Sequence, residues 1–162
     1  MRYMTLIAAL AALLIVSACG KSATNTESSA SVSNCPKPDA DGVIQITDGL
    51  TATITSRGYG RAAVAGDYAD VHTTLWLYDA AADGGRGTEV WTSGGNQPFQ
   101  FRLDAGQVIK GWDLGVVCML IGETRELIIG PELGYGARGK PPVPPNATLL
   151  FEIELVNLTG SD

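Results

Sequence analysis

His72 is the only histidine of this 162-residue chain, and Cys19, Cys35 and Cys118 are its only cysteines. A single imidazole excludes a multi-histidine metal centre. His72 stands two residues from Asp70 in a run rich in β-branched residues, with no Ser or Cys nucleophile beside it in the sequence. It therefore reads as a structural histidine satisfied within the fold. No Cys-x-x-Cys pair is present, which excludes thioredoxin-like exchange. Cys35 and Cys118 leave two readings open: a disulfide, or a buried thiol at Cys118 with a free one at Cys35. Closing the long loop between them would stabilise the fold by ~4–5 kcal/mol through chain entropy. Gly134-Tyr135-Gly136-Ala137-Arg138-Gly139 has the G-x-G-x-x-G spacing of a dinucleotide loop. That chemistry needs a helix whose first amides face a pyrophosphate, and Pro141-Pro142 lacks the amide protons such a helix would use. Neither a metal nor an organic cofactor is expected.

Composition narrows the classes further. Lys+Arg total 11 against 17 Asp+Glu, a net charge of −6 and a pI near 4.7. That balance counts against nucleic acid as a partner, since phosphate binding needs a basic stripe. Hydrophobic residues at 45% supply one core, and the length suits one domain.

The first residues read as a targeting segment. Arg2 precedes an apolar run, Leu6 to Val16, too short to span a bilayer. The run ends in Val16-Ser17-Ala18-Cys19, which resembles the bacterial lipobox. The resemblance implies removal of residues 1–18 as a lipoprotein signal peptide and a diacylglycerol on Cys19. Gly20 follows without an acidic residue, which leans toward the outer membrane. Residues 19–37 then form the lipidated cysteine and a flexible tether, Ser- and Thr-rich and poor in large apolar groups. Residues 38–162 form the folded domain. The expected location is the cell envelope, lipid-anchored and facing the periplasm.

The elements of that domain follow from periodicity. Leu50–Ile54 and Val71–Tyr78 alternate as strands; Gln97–Phe101 opens another, and Leu127–Ile129 and Leu149–Leu155 close the series. Glu152 and Glu154 fall on the outward side. Arg57–Arg61 and Ala65–Asp67 read as turns, and Asp79–Gly87 as a loop. Gln107–Met119 has a helical period that places Trp112, Val116 and Met119 on one face. Leu114, Val117 and Cys118 fall toward the other face, which the segment from Cys35 to Ile46 is expected to cover. Many strands with one short helix give an α+β fold, an antiparallel sheet with a helix on one face.

Gly106-Gln-Val-Ile-Lys-Gly-Trp-Asp-Leu-Gly115, Gly122-Glu-Thr-Arg125, Ile129-Gly-Pro-Glu-Leu-Gly-Tyr-Gly-Ala137 and Pro144-Pro-Asn-Ala-Thr-Leu-Leu-Phe-Glu-Ile-Glu-Leu155 occur in an order and spacing that resemble the FKBP-type peptidyl-prolyl isomerases. Ala65-Gly-Asp67, Val71-His72 and Gln97-Pro-Phe-Gln-Phe101 fit upstream, so the resemblance covers about Leu50 to Leu158. It implies a twisted antiparallel half-barrel sheet wrapped on one short helix. It also implies rotation of Xaa-Pro bonds in unfolded or exported polypeptides, by a monomer without cofactor. The family's pocket maps onto Trp112 as floor, Val108 and Ile109 with the Ile109 amide as donor, Phe99, Tyr135 with its hydroxyl as donor, Phe151, and Val143 in the final loop.

Three wall positions depart from the family pattern. The family's Val-His-Tyr-Thr-Gly reads Val71-His72-Thr73-Thr74-Leu75, and its Phe-Asp-Ser-Ser reads Val90-Trp91-Thr92-Ser93. Thr73, Val90 and Trp91 thus take the places of the pocket tyrosine, phenylalanine and aspartate. The family's arginine falls in Gly94-Gly95-Asn96. A linked polar set is lost together, which predicts a remodelled wall, weakened activity or altered preference, and a poorer fit for macrolide inhibitors. Two further readings follow: a non-catalytic module binding proline peptides or unfolded chains, and a structural lipoprotein docking one envelope partner.

Overall fold

The computed structural model describes residues 35–95 and 97–160. The signal peptide, Cys19, most of the tether and Asn96 lie outside the described residues. Nine strands and one α-helix are present among those described: β1 Val43–Thr47, β2 Leu50–Ser56, β3 Tyr59–Ala62, β4 Tyr68–Tyr78, β5 Arg86–Thr92, β6 Phe99–Arg102, α1 Lys110–Gly115, β7 Leu120–Ile121, β8 Thr124–Ile129 and β9 Leu149–Thr159. The main sheet runs β1-β2-β8-β9-β4-β5, with β6 also on β4; β3 and β7 form a small second sheet. Every pairing is antiparallel.

Alternation along the long strands sets the inner face. Ala69, Val71, Thr73 and Leu75 of β4 are buried, as are Phe151, Ile153 and Leu155 of β9 and Leu127 and Ile129 of β8. The opposite face is mixed: Thr74, Glu126, Glu152 and Glu154 share it with Trp76, Ile128 and the buried Leu150. There Arg86 lies 5.0 Å from the Trp76 ring and pairs with Glu126 and Glu152. The helix packs into the hollow of the sheet, and its glycines set how closely. A Cβ on Gly111 would come within 2.5 Å of the Ile129 side chain, and one on Gly115 within 2.5 Å of Leu127.

The helix is shorter than its periodic pattern. Ile109 is extended, with ψ 150°, and is the N-cap of α1; Cys118 adopts a positive φ of 68°, which no α-helix continues through. Val116 and Met119 are still fully buried, so the predicted face is kept by a turn rather than by a helix. β3 occupies part of the stretch read as a turn. There Gly58 serves a close approach: a Cβ on it would sit 2.6 Å from the Ile121 carbonyl oxygen. β1 and β5 were not apparent from periodicity.

The N-terminal arm is fastened at three points. Cys35 is bonded to Cys118, which settles the two cysteine readings in favour of the disulfide. The Asp39 carboxylate accepts the Asp41 and Val43 amides, each at 2.9 Å. β1 pairs with β2 along the sheet edge.

Candidate active site

The site is built where α1 enters the hollow of the sheet. Asp113 is buried and accepts the amides of Asp104 at 3.0 Å and Gly106 at 3.2 Å, which folds the preceding loop onto the helix start. That loop carries Val108 and Ile109 into position. The helix end is held by Arg125, which donates to the carbonyls of Gly115 at 3.0 Å, Val117 at 3.3 Å and Cys118 at 3.1 Å. These are orphan carbonyls that a helix terminus leaves unpaired. Arg125 also pairs with Glu123, whose other oxygen accepts the Leu120 amide at 3.0 Å. Burial lowers the Arg125 pKa, and Glu123 opposes the shift.

Trp112 projects from α1 as the floor. Its ring lies 5.1 Å from Phe151 and 6.1 Å from Phe99, both edge-on, and 5.4 Å from Phe101 at a tilt. Such geometry suits the quadrupoles of the rings and holds the floor rigid. The Trp112 Nε1 proton is buried without an acceptor among the described residues. Above this floor opens a cleft of about 580 Å³. Phe99, Val108, Ile109, Tyr135, Val143 and Phe151 line it with Trp112, and so do Val90 and Trp91. Trp91 is 49% exposed and Phe99 44%, so both stand at the rim. They flank the gap where β4 exchanges β5 for β6 as its edge partner.

Two of the lining residues, Ile109 and Tyr135, carry donors. Neither the Ile109 amide nor the Tyr135 hydroxyl donates a hydrogen bond among the described residues, although the Ile109 carbonyl accepts from Trp112 at 2.9 Å. Burial raises the Tyr135 pKa, so the hydroxyl stays protonated and able to donate across the neutral range.

Nine of the ten pocket positions expected from sequence are brought together. Thr73 is the exception: it is buried on the inner face of β4, does not line the cleft, and its hydroxyl has no partner among the described residues. A threonine is too short to reach from the inner face of β4 into the slot. Leu75, two residues along on the same face, lines the cleft instead. Gln107, inside the Gly106–Gly115 motif but given no role there, and the Lys140-Pro141-Pro142 loop also line it. The sheet also supplies what the sequence hid beside His72. Ser93 Oγ lies 3.4 Å from Nδ1 and accepts the Thr73 amide at 3.0 Å, fastening the end of β5 to β4. No group of three or more His, Cys, Asp or Glu side chains among the described residues is arranged to hold a metal ion.

Residues 60–156 match the profile of the FKBP-type peptidyl-prolyl cis-trans isomerases. The chain belongs to that family. It is 45% identical over 114 residues to FK506-binding protein 1 of Dictyostelium discoideum, covering 67% of this chain and 96% of that protein. It is 50% identical over 95 residues to the human peptidyl-prolyl cis-trans isomerase FKBP2, covering 57% of this chain and 62% of the relative. Among solved structures, FkpA from Escherichia coli matches with a TM-score of 0.64 and 34% identity over 75% of this chain. The match spans only about half of FkpA, 53% of its length. The FKBP fold, an antiparallel sheet with one short helix, is therefore common to both, and the chain is a peptidyl-prolyl isomerase by family.

Proposed function

We propose that the cleft over Trp112 rotates Xaa-Pro bonds in exported, unfolded polypeptides at the cell envelope, with the chain acting as a monomer anchored through lipid on Cys19. The observation that carries the chemistry is an apolar aromatic slot lined by two residues, Ile109 and Tyr135, whose amide and hydroxyl donate to nothing among the described residues. Rotation about an Xaa-Pro bond faces a barrier of roughly 18–20 kcal/mol set by amide resonance, and it needs no nucleophile. Water stabilises the planar, polarised amide, so a slot that excludes water favours the twisted state. In this reading the Ile109 amide and Tyr135 hydroxyl hold a neighbouring carbonyl and fix the pose. A thousandfold acceleration requires only ~4 kcal/mol, within reach of these terms without a charged catalytic group. The apolar run and the Val16-Ser17-Ala18-Cys19 motif support the anchor.

Trp91 supports a second reading. An exposed indole stands where the family carries a carboxylate, which suits a surface that holds proline peptides with little turnover. Exchange NMR on a panel of Xaa-Pro peptides separates the two. Cross-peaks between cis and trans forms that build up faster with protein than in buffer support the isomerase. Saturable shift changes without faster exchange, with exchange gained in Trp91→Asp, support the binding module.

A further inference from the structure

Among the described residues, Lys140 is the one charged residue that lines the cleft. The loop holds it there by a tight backbone pair: the Lys140 amide donates to the Val143 carbonyl at 3.0 Å, and the Val143 amide returns to Lys140 at 2.7 Å. Pro141 and Pro142 fill the turn between them and restrict its backbone. The Lys140 ammonium lies 5.7 Å from the centre of the Tyr135 ring, within cation–π reach. It therefore stands beside the aromatic ring that carries one of the cleft's hydroxyl groups.

No carboxylate among the described residues pairs with Lys140: the ion pairs present are Arg61–Asp67, Arg86–Glu126, Arg86–Glu152 and Glu123–Arg125. No acidic side chain among the described residues lines the cleft either, although the chain as a whole carries −6. Arg138, on the preceding turn, adds a second exposed cation to the same loop. The rest of the wall is aromatic, aliphatic or neutral.

Resting on the isomerase reading of this cleft, we propose that Lys140 makes the site selective for proline segments that carry a carboxylate within a residue or two of the proline. The apolar slot takes the proline ring, and the loop cation meets the acidic side chain at the rim. At physiological ionic strength the field of the acidic body is screened within about 8 Å, whereas a contact pair at the rim is not. An exposed pair of this kind gives about a two- to fivefold preference.

The test uses the purified chain and peptides that differ only at the residues flanking proline, with Glu, Gln or Lys there. NMR shift titration reads binding, and exchange spectroscopy reads turnover on the same samples at ~0.15 M salt. The expected order of affinity is Glu above Gln above Lys. K140E inverts that order, K140Q flattens it, and molar salt collapses it. Equal affinities for the three peptides, or an order that K140E leaves intact, overturns the proposal while leaving any observed exchange standing. Ordered binding without exchange supports the charge selection and counts against turnover.

Discussion

Replacing Cys35 and Cys118 together by serine tests what fastens the N-terminal arm. The pair closes a loop of 83 residues. Chain-entropy arithmetic for a loop of that length gives about 4.5 kcal/mol near 25 °C. A domain of this size is stable by roughly 5–15 kcal/mol in total, so the loss takes up a large share of it. The arm has other attachments, the Asp39 turn and β1 on β2, which retain part of the native state but do not restrain the unfolded chain. Equilibrium urea unfolding reads the difference. With m of about 2 kcal/mol per molar, the midpoint should fall by about 2 M, and m should rise as the unfolded chain expands. Neither cysteine lines the cleft, so exchange rates on Xaa-Pro peptides should hold while the variant stays folded. A midpoint shift below about 0.5 M would refute the loop-entropy reasoning. Unchanged stability with lost turnover would show instead that the bond positions α1.

Three further outcomes follow from the structure. Gly111→Ala pushes a methyl group against Ile129 and should cost about 1–3 kcal/mol in urea unfolding, whereas helix propensity alone would make it stabilising. Arg125→Leu strands the buried Glu123 carboxylate and frees three carbonyls at the end of α1; the expected loss is about 3–5 kcal/mol, read by thermal unfolding. Turnover should be level from pH 5 to 9, since His72 lies outside the cleft and the Tyr135 pKa is raised. The folded state keeps the Tyr135 proton where the unfolded chain loses it. This contribution to stability is therefore full below the ordinary tyrosine pKa of about 10 and is lost as pH rises through the folded value. A bell-shaped rate profile centred near neutrality would contradict this assignment.

The strands that alternate over many residues, β4 and β9, were legible because burial on one face leaves a period of two in the sequence. β3 was not, because Gly58 reads as a turn until its contact with Ile121 is seen. β5 begins inside a glycine-rich stretch, and three of its first four residues, Arg86, Thr88 and Glu89, are exposed. The cleft was legible through ordered motifs more than through chemistry, since an apolar slot leaves no titratable signature. Thr73 shows the limit of carrying a position across: it lies buried on the inner face of β4 but does not line the cleft. Leu75 fills the gap from a position where the family pattern has glycine. The roles of Glu123 and Arg125 were hidden for another reason. Apart from each other, their partners are backbone carbonyls and an amide, which no side-chain pattern reveals.

The cis–trans exchange rate of an Xaa-Pro peptide with the parent chain and with Tyr135→Phe tests the central claim most directly. The account predicts exchange well above the buffer rate in the parent, and a fall of about ten- to a hundredfold at most when the hydroxyl is removed, matching one lost polar contact. Parent exchange at the buffer rate, or acceleration that Tyr135→Phe and a bulky Val143→Trp both leave untouched, would contradict it and place the chemistry outside the cleft over Trp112.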